Sequence, residues 1–433
     1  MHMRNIVFLT LISFVSFNCK KNDITQSQSN LPTITTTGAT SITYSSAISG
    51  GNISSDGGAT VTARGICLST SPTPLISGNH TSDGTGTGTF TSNISGLTSG
   101  TIYYIRAYAT NSAGTAYGNE LNFTTIVPDV YVAGYESNGT NNVAKYWKNG
   151  VETSLTNGSF DAYANSIFVF GTDVYVAGYE SNGTKYVAKI WKNGIAISLA
   201  AGIFHSYAKS VYVSGTDVYV GGNSSDGTRL IPTIWKNGVE TSLTSSTLNG
   251  GVNSIYVSGT DVYTCGQEGT GSPQYDARLW KNGVVTNLST GALVGIGHSV
   301  FVDGTNVYVT GSVETTSNKI AKLWKNGIAT DLSHGTNDAT AKAVFVSGTS
   351  VYVAGEEKAG SFPYAKLWKN GVATSLGSNY SSASGVVVNG TDVYISGYEN
   401  NGVKYVSKYW KNGIATSLTN GANNAYGNAI FVK

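Results

Sequence analysis

Charge is scarce in this chain. Asp, Glu, Lys and Arg together make up 12% of its 433 residues and leave a net charge of +2. A nucleic-acid partner needs clustered Lys and Arg in clear excess, so that class is excluded. Cysteine is rarer still, with Cys19, Cys67 and Cys265 alone. No cysteine pair stands at zinc-ligand spacing. Cys67 and Cys265 fall inside apolar runs of different segments, where they read as small buried hydrophobes and not as a bridge. Long hydrophobic runs are missing too. The run from Ile6 to Phe17 falls short of the roughly 20 apolar residues that a membrane-spanning helix needs. There is no Gly-x-Ser-x-Gly elbow, and His80, His205, His298 and His334 lie scattered without metal-ligand spacing. No catalytic residue is assigned. Proline is sparse, 7 residues against 54 glycines, which suits short strands joined by tight turns.

The N-terminus reads as an address. Arg4 precedes the apolar run, and Asn18-Cys19-Lys20-Lys21 follows it. A short positive start and an apolar stretch of this length make residues 1–19 a signal peptide. The cysteine directly after the run resembles the lipobox of bacterial lipoproteins, although Asn18 stands where a small residue is usual. The resemblance implies lipidation at Cys19 and an outer-membrane lipoprotein, with simple secretion as the alternative. Residues 20–31 are polar and aperiodic, a tether.

Residues 32–126 alternate as short strands broken by Asp56-Gly57-Gly58 and Asp83-Gly84, read here as hairpin turns. Period-two alternation over Thr101–Gly114 puts Tyr103, Ile105, Ala107 and Ala109 on the core face. That segment resembles the penultimate strand of a fibronectin type III domain. With Ala63–Pro72 it is similar to the variant common in exported proteins of Bacteroidetes-type bacteria. The expected fold is an immunoglobulin-like sandwich, here without the family's early core tryptophan.

Residues 129–433 are repetitive. Trp-Lys-Asn-Gly occurs at Trp147, Trp191, Trp235, Trp280, Trp324, Trp368 and Trp410, which are all the tryptophans, spaced by 42 to 45 residues. That period matches a four-stranded propeller blade. Asn-Gly between alternating runs marks a hairpin, so each Trp closes one strand and the turn opens the next. The repeats begin at Asp129 in a second strand and end at Ala429–Val432 in a first strand. The expected fold is therefore an all-β chain: the sandwich, then a seven-bladed β-propeller closed by the C-terminal strand. The repeats resemble uncharacterised propeller repeats of bacterial surface proteins, and no activity comes with that likeness.

Binding candidates come from the repeats. A carboxylate recurs two residues after the glycine of each second strand, at Glu136, Glu180, Glu268, Glu357 and Glu399, with Ser224 and Val313 breaking the pattern. If the loops after the second strands share a face, the five form a partial acidic ring that could hold Ca2+ or accept bonds from sugar hydroxyls. Tyr135, Tyr179 and Tyr398 stand beside them. Phe160, Tyr163, Phe204, Tyr207 and Tyr426, expected in the loops after the fourth strands, add stacking surfaces. Hairpin-tip polarity copied by duplication is the structural alternative. The tryptophans read as packing residues, with the stems of Lys145 and Lys189 along the indoles.

Three functions remain open. One is a monomeric, non-enzymatic envelope protein for adhesion, presenting a propeller face to a glycan or protein. Another is a glycosidase or lyase using two of the carboxylates. The third is a structural surface protein without a specific ligand.

Overall fold

The computed structural model describes residues 28–244, 247–271, 274–289 and 293–433. The expected signal peptide, Cys19 and the tether as far as residue 27 lie outside them. The fold is all-β, with strands and no helix among the described residues. The chain divides after Ile126 into two compact units.

In the first unit, Thr33–Thr40, Ser46–Ser55 and Gly88–Ser95 form one antiparallel sheet. Ala63–Ser69, Ile102–Asn111, Gly114–Tyr117 and Leu121–Thr124 form the other. Both sheets contribute to one core, where Ile34, Ile53 and Ile94 meet Ile66, Tyr103, Ile105, Ala107, Ala109 and Phe123. The glycine turns differ from expectation. Asp56-Gly57-Gly58 links strands of different sheets, and Asp83-Gly84 also lies between strands of different sheets, so neither closes a hairpin. Positive φ at Gly57 and Gly58 (71° and 86°) serves that crossing. Cys67 and Cys265 are buried free thiols, and burial pushes Cys67 up to about 11.

In the second unit, among the described residues, seven four-stranded antiparallel units recur, called sheets I to VII below. Sheet II shows the pattern: a first strand Ala162–Phe170, a second Asp173–Ser181, a third Tyr186–Lys192 and a short fourth Ile195–Ser198. Sheets III to VII repeat it with first strands at Ser206–Ser214, Gly250–Ser258, Val294–Asp303, Ala339–Ser347 and Ser381–Asn389. A single parallel pair, Tyr275 with Val294, bridges IV to V. Sheet I draws its second, third and fourth strands from Val130–Ser137, Asn142–Lys148 and Val151–Ser154, and its first from the distant Ala425–Val432. Asp129 and Lys433 exchange backbone hydrogen bonds of 2.9 and 3.0 Å where the two ends meet. Tyr131 and Ala133 of sheet I pack on Ile167 and Trp191 of sheet II, and Tyr394 of sheet VII packs on Val132 and Trp147 of sheet I.

Each residue of the repeated tetrapeptide has a structural task. The indoles of all seven tryptophans are at most 1% exposed, between neighbouring sheets. Burying one such ring contributes about 5 kcal/mol at ~25 cal/mol per Å2. The asparagines hold φ between 49° and 51° and the following glycines between 80° and 83°, as a type I′ turn requires. Asn193 Oδ1 accepts the Val174 N–H at 2.8 Å while its Nδ2 donates to Asp173, and the Oδ1 atoms of the other six asparagines accept the matching second-strand N–H at the same distance. Five of the lysines share a plan in which, as at Lys192, the ammonium pairs with an aspartate (Asp173, 2.8 Å) and lies over a tyrosine ring (Tyr175, 5.3 Å). Lys325 and Lys369 lie over Tyr308 and Tyr352, with Asn306 and Ser350 in the aspartate's place.

Candidate functional site

Strand pairing runs further than the repeat pattern implied. The recurrent glutamates and Tyr135, Tyr179 and Tyr398 stand on the second strands, not in the loops after them. Tyr163, Tyr207 and Tyr426 stand on first strands, not in the loops before them. Glu180 has Ala162 opposite on one side and Val187 on the other. Only Phe160 and Phe204 are loop residues, both exposed.

The five carboxylates do not form an open ring. Each is held by a base on the third strand of its own sheet: Glu136 by Lys145 and Glu180 by Lys189 at 2.8 Å, Glu268 by Arg278 at 3.5 Å, Glu357 by Lys366 at 3.4 Å, and Glu399 by Lys408. Their side chains are only 10 to 23% exposed. Burial works to raise the Glu399 pKa, but hydrogen bonds from Lys408 and the Ser378 and Asn379 N–H groups outweigh it and hold it low. Among the described residues no three His, Cys, Asp or Glu side chains gather where they could hold a metal ion. The oxygen cage that Ca2+ would need is not assembled, because each carboxylate already has its own cation. The ammoniums of Lys145 and Lys189, whose stems were expected along the indoles, end on Glu136 and Glu180.

What the strands do bring together is tyrosine. Tyr398 and Tyr426 have ring centroids 4.8 Å apart, as do Tyr426 and Tyr135, and Tyr135 and Tyr163. Tyr163 then meets Tyr179 at 5.0 Å, and Tyr179 meets Tyr207 at 4.9 Å. This run of six rings crosses sheets VII, I, II and III where each first strand begins and each second strand finishes. Burial pushes the hydroxyls of Tyr135, Tyr179 and Tyr398 above the ordinary tyrosine value. In sheets IV, V and VI the same two positions carry Gly251 and Gln267, Ile296 and Ser312, and Thr340 and Glu356. One part of this end is therefore aromatic, and the other carries no ring at these positions and is mostly polar.

A bulge in every first strand adds to it. The register slips by one residue between Ala164 and Ser166 and at the equivalent point of each sheet. The unpaired residues are Asn165, Lys209, Asn253, His298, Lys342, Ser384 and Asn428, all polar. A bulge re-aims its side chain. The second-strand glycine makes it possible, since a Cβ on Gly178 would stand 1.9 Å from the Tyr163 carbonyl oxygen and 3.0 Å from the Trp191 ring. Lys342 bonds Glu356 at 2.9 Å and Ser382 at 2.7 Å. Beside that pair, burial first and then Lys342 and Lys319 push His298 down to about 4, against a smaller upward pull from Glu356. His205 has a structural task, accepting the Tyr186 N–H on Nδ1 at 3.2 Å.

Further along the first strands runs a second aromatic series. Phe431, Phe168, Tyr212, Tyr256, Phe301 and Phe345 touch in turn with centroids 4.8 to 5.0 Å apart, and Val387 is their counterpart in sheet VII.

No protein-family model matches the chain, and no curated protein does. Among solved structures it is similar to TolB from Acinetobacter baumannii, at 10% identity and TM-score 0.41, covering 62% of this chain and 74% of that one. It is also similar to a DUF4784 family protein from Bacteroides caccae, at 10% identity and TM-score 0.32, covering 92% of this chain and 98% of that one. At those scores neither likeness carries an argument about this chain.

Proposed function

We propose that this is a non-enzymatic, exported adhesion protein, lipid-anchored through Cys19. In this reading the first unit is a fibronectin type III-like spacer, and the second is a seven-bladed β-propeller closed by its C-terminal strand. The tyrosine-lined end of that propeller is the glycan-binding face. The observation that carries the reading is the division of this end into a run of six tyrosines and a polar part. A sugar has apolar ring faces and hydroxyl edges, so it needs both surfaces at once. Tyrosine rings lose little conformational freedom on stacking, and the half-buried Gln267, with the Lys342–Glu356 pair, offers donors and acceptors for the hydroxyls. The ion-paired glutamates support the propeller sheets in this reading. Glu399, whose pKa is held low, is unsuited to be the acid of a glycosidase, which needs a carboxyl with a raised pKa. The test is a glycan array probed with the full chain. Concentration-dependent binding to a related set of oligosaccharides is expected, and a blank array contradicts the reading.

A further inference from the structure

The bulged residues of the first strands are mostly committed to the protein itself. Asn165, Asn253 and Asn428 donate to the backbone carbonyls of Ala208, Gly297 and Ala164 in the next sheet at 2.8 to 2.9 Å. Lys342 is matched by Glu356 and Ser382. Lys209 is different. Its ammonium lies 5.2 Å from the Tyr179 ring centroid and 5.7 Å from that of Tyr207. Among the described residues it makes no hydrogen bond and no ion pair. Burial alone pushes its pKa below the ordinary lysine value. Lys209 is half-buried, and a cation partly withdrawn from water without a counter-ion is unfavourable, since two ring faces replace only part of the hydration it loses. Asparagine fills the same bulge in three other sheets, so packing does not require a lysine there.

We propose that Lys209 is the counter-ion for a negatively charged sugar, so that the ligand of this end is an acidic oligosaccharide, a uronate or a sulfate ester. The inference rests on the glycan reading above and names the class of glycan. The charges support it. Lys342 and Glu356 cancel, and His298 is neutral at pH 7, which leaves Lys209 as the one uncompensated charge of this cluster. One ammonium matches one singly charged carboxylate or sulfate ester. Tyr179 and Tyr207 flank it, so a sugar ring stacked on either phenol brings the acidic group at its edge to the ammonium.

The experiment is calorimetry on the full chain at fixed ionic strength with two matched pairs. These are tetragalacturonate with its carboxyl-reduced form, and a sulfated galactan tetrasaccharide with its desulfated form. One acidic member is expected to bind at least tenfold tighter than its neutral counterpart, and the pair that shows the difference identifies the anion. Lys209→Met should abolish that difference and Lys209→Arg should keep most of it. If Lys209→Met melts early, Lys209→Gln takes its place. Equal affinity for acidic and neutral members, or a preference that survives in the uncharged variant, overturns the inference and leaves the glycan reading standing. Absence of binding by all four tetrasaccharides together with a blank array overturns both.

Discussion

Asn193 carries three demands at one turn: a left-handed φ of 51°, a carbonyl oxygen accepting the Val174 N–H, and an amide donating to Asp173. Glycine meets only the first, and alanine meets none without strain. Asn193→Gly should therefore destabilise by about 1 kcal/mol and Asn193→Ala by about 2, from lost hydrogen bonds and then backbone strain. Urea unfolding reads the order, and equal losses would show that the side-chain clamp contributes nothing. His298 makes the other prediction at this scale. Its folded pKa, about 4, lies below the ~6.5 of an exposed histidine, so the fold favours the neutral ring. Its contribution is complete above pH 6.5 and is lost as the pH falls towards 4, by no more than about 3 kcal/mol. Across that window the wild type should lose more stability than His298→Gln. Parallel pH profiles would place His298 in water. Single residues also show what the sequence concealed. The base two positions before Trp147, Trp191, Trp280, Trp368 and Trp410 is the partner of the preceding glutamate; Thr233 stands there where Ser224 replaces Glu, whereas Lys322 stays where Val313 does and pairs with Asp331 instead. That pairing is present in five sheets and shows only once the strands are extended past the glycine.

Elements were the most legible scale. The Asn-Gly turns and the tryptophan period mark the third and fourth strands of every sheet, because a type I′ turn tolerates few other dipeptides. The bulges were harder to read. Their signal is the second-strand glycine, which also reads as an ordinary strand end, and missing them hid Asn165, Lys209 and His298 among alternating residues. The missed turns of the first unit have the same origin, since a glycine pair with positive φ serves a crossing between sheets as well as a hairpin. The first strand of sheet I is the element whose removal matters most. Ala425–Val432 pairs with Val130–Ser137 from Glu136 to Val130. Deleting residues 426–433 leaves that second strand with an open edge and uncovers Phe168, which stacks on Phe431 at 5.0 Å. The truncated chain should aggregate or melt well below the parent. An unchanged melting temperature would mean that the C-terminal strand adds nothing to sheet I.

At the scale of the whole molecule, repetition and its failure divide the work. What all seven sheets share is structural: tryptophan between sheets, the asparagine clamp, the glycine beneath the bulge. What they do not share gathers at one end, where tyrosines of sheets VII, I, II and III give way to Gln267, Ser312, Glu356 and His298. Duplication copies a scaffold, and a ligand site needs its copies to diverge, so the asymmetric end is where function is expected. The most direct test is calorimetry of the full chain and of the double variant Tyr135→Ala and Tyr179→Ala against the strongest glycan from the array, with melting curves confirming that both are folded. Two stacking rings at about 1 kcal/mol each predict an affinity loss of roughly 30-fold. Unchanged affinity in a folded double variant would contradict the account, placing the glycan site elsewhere on the molecule.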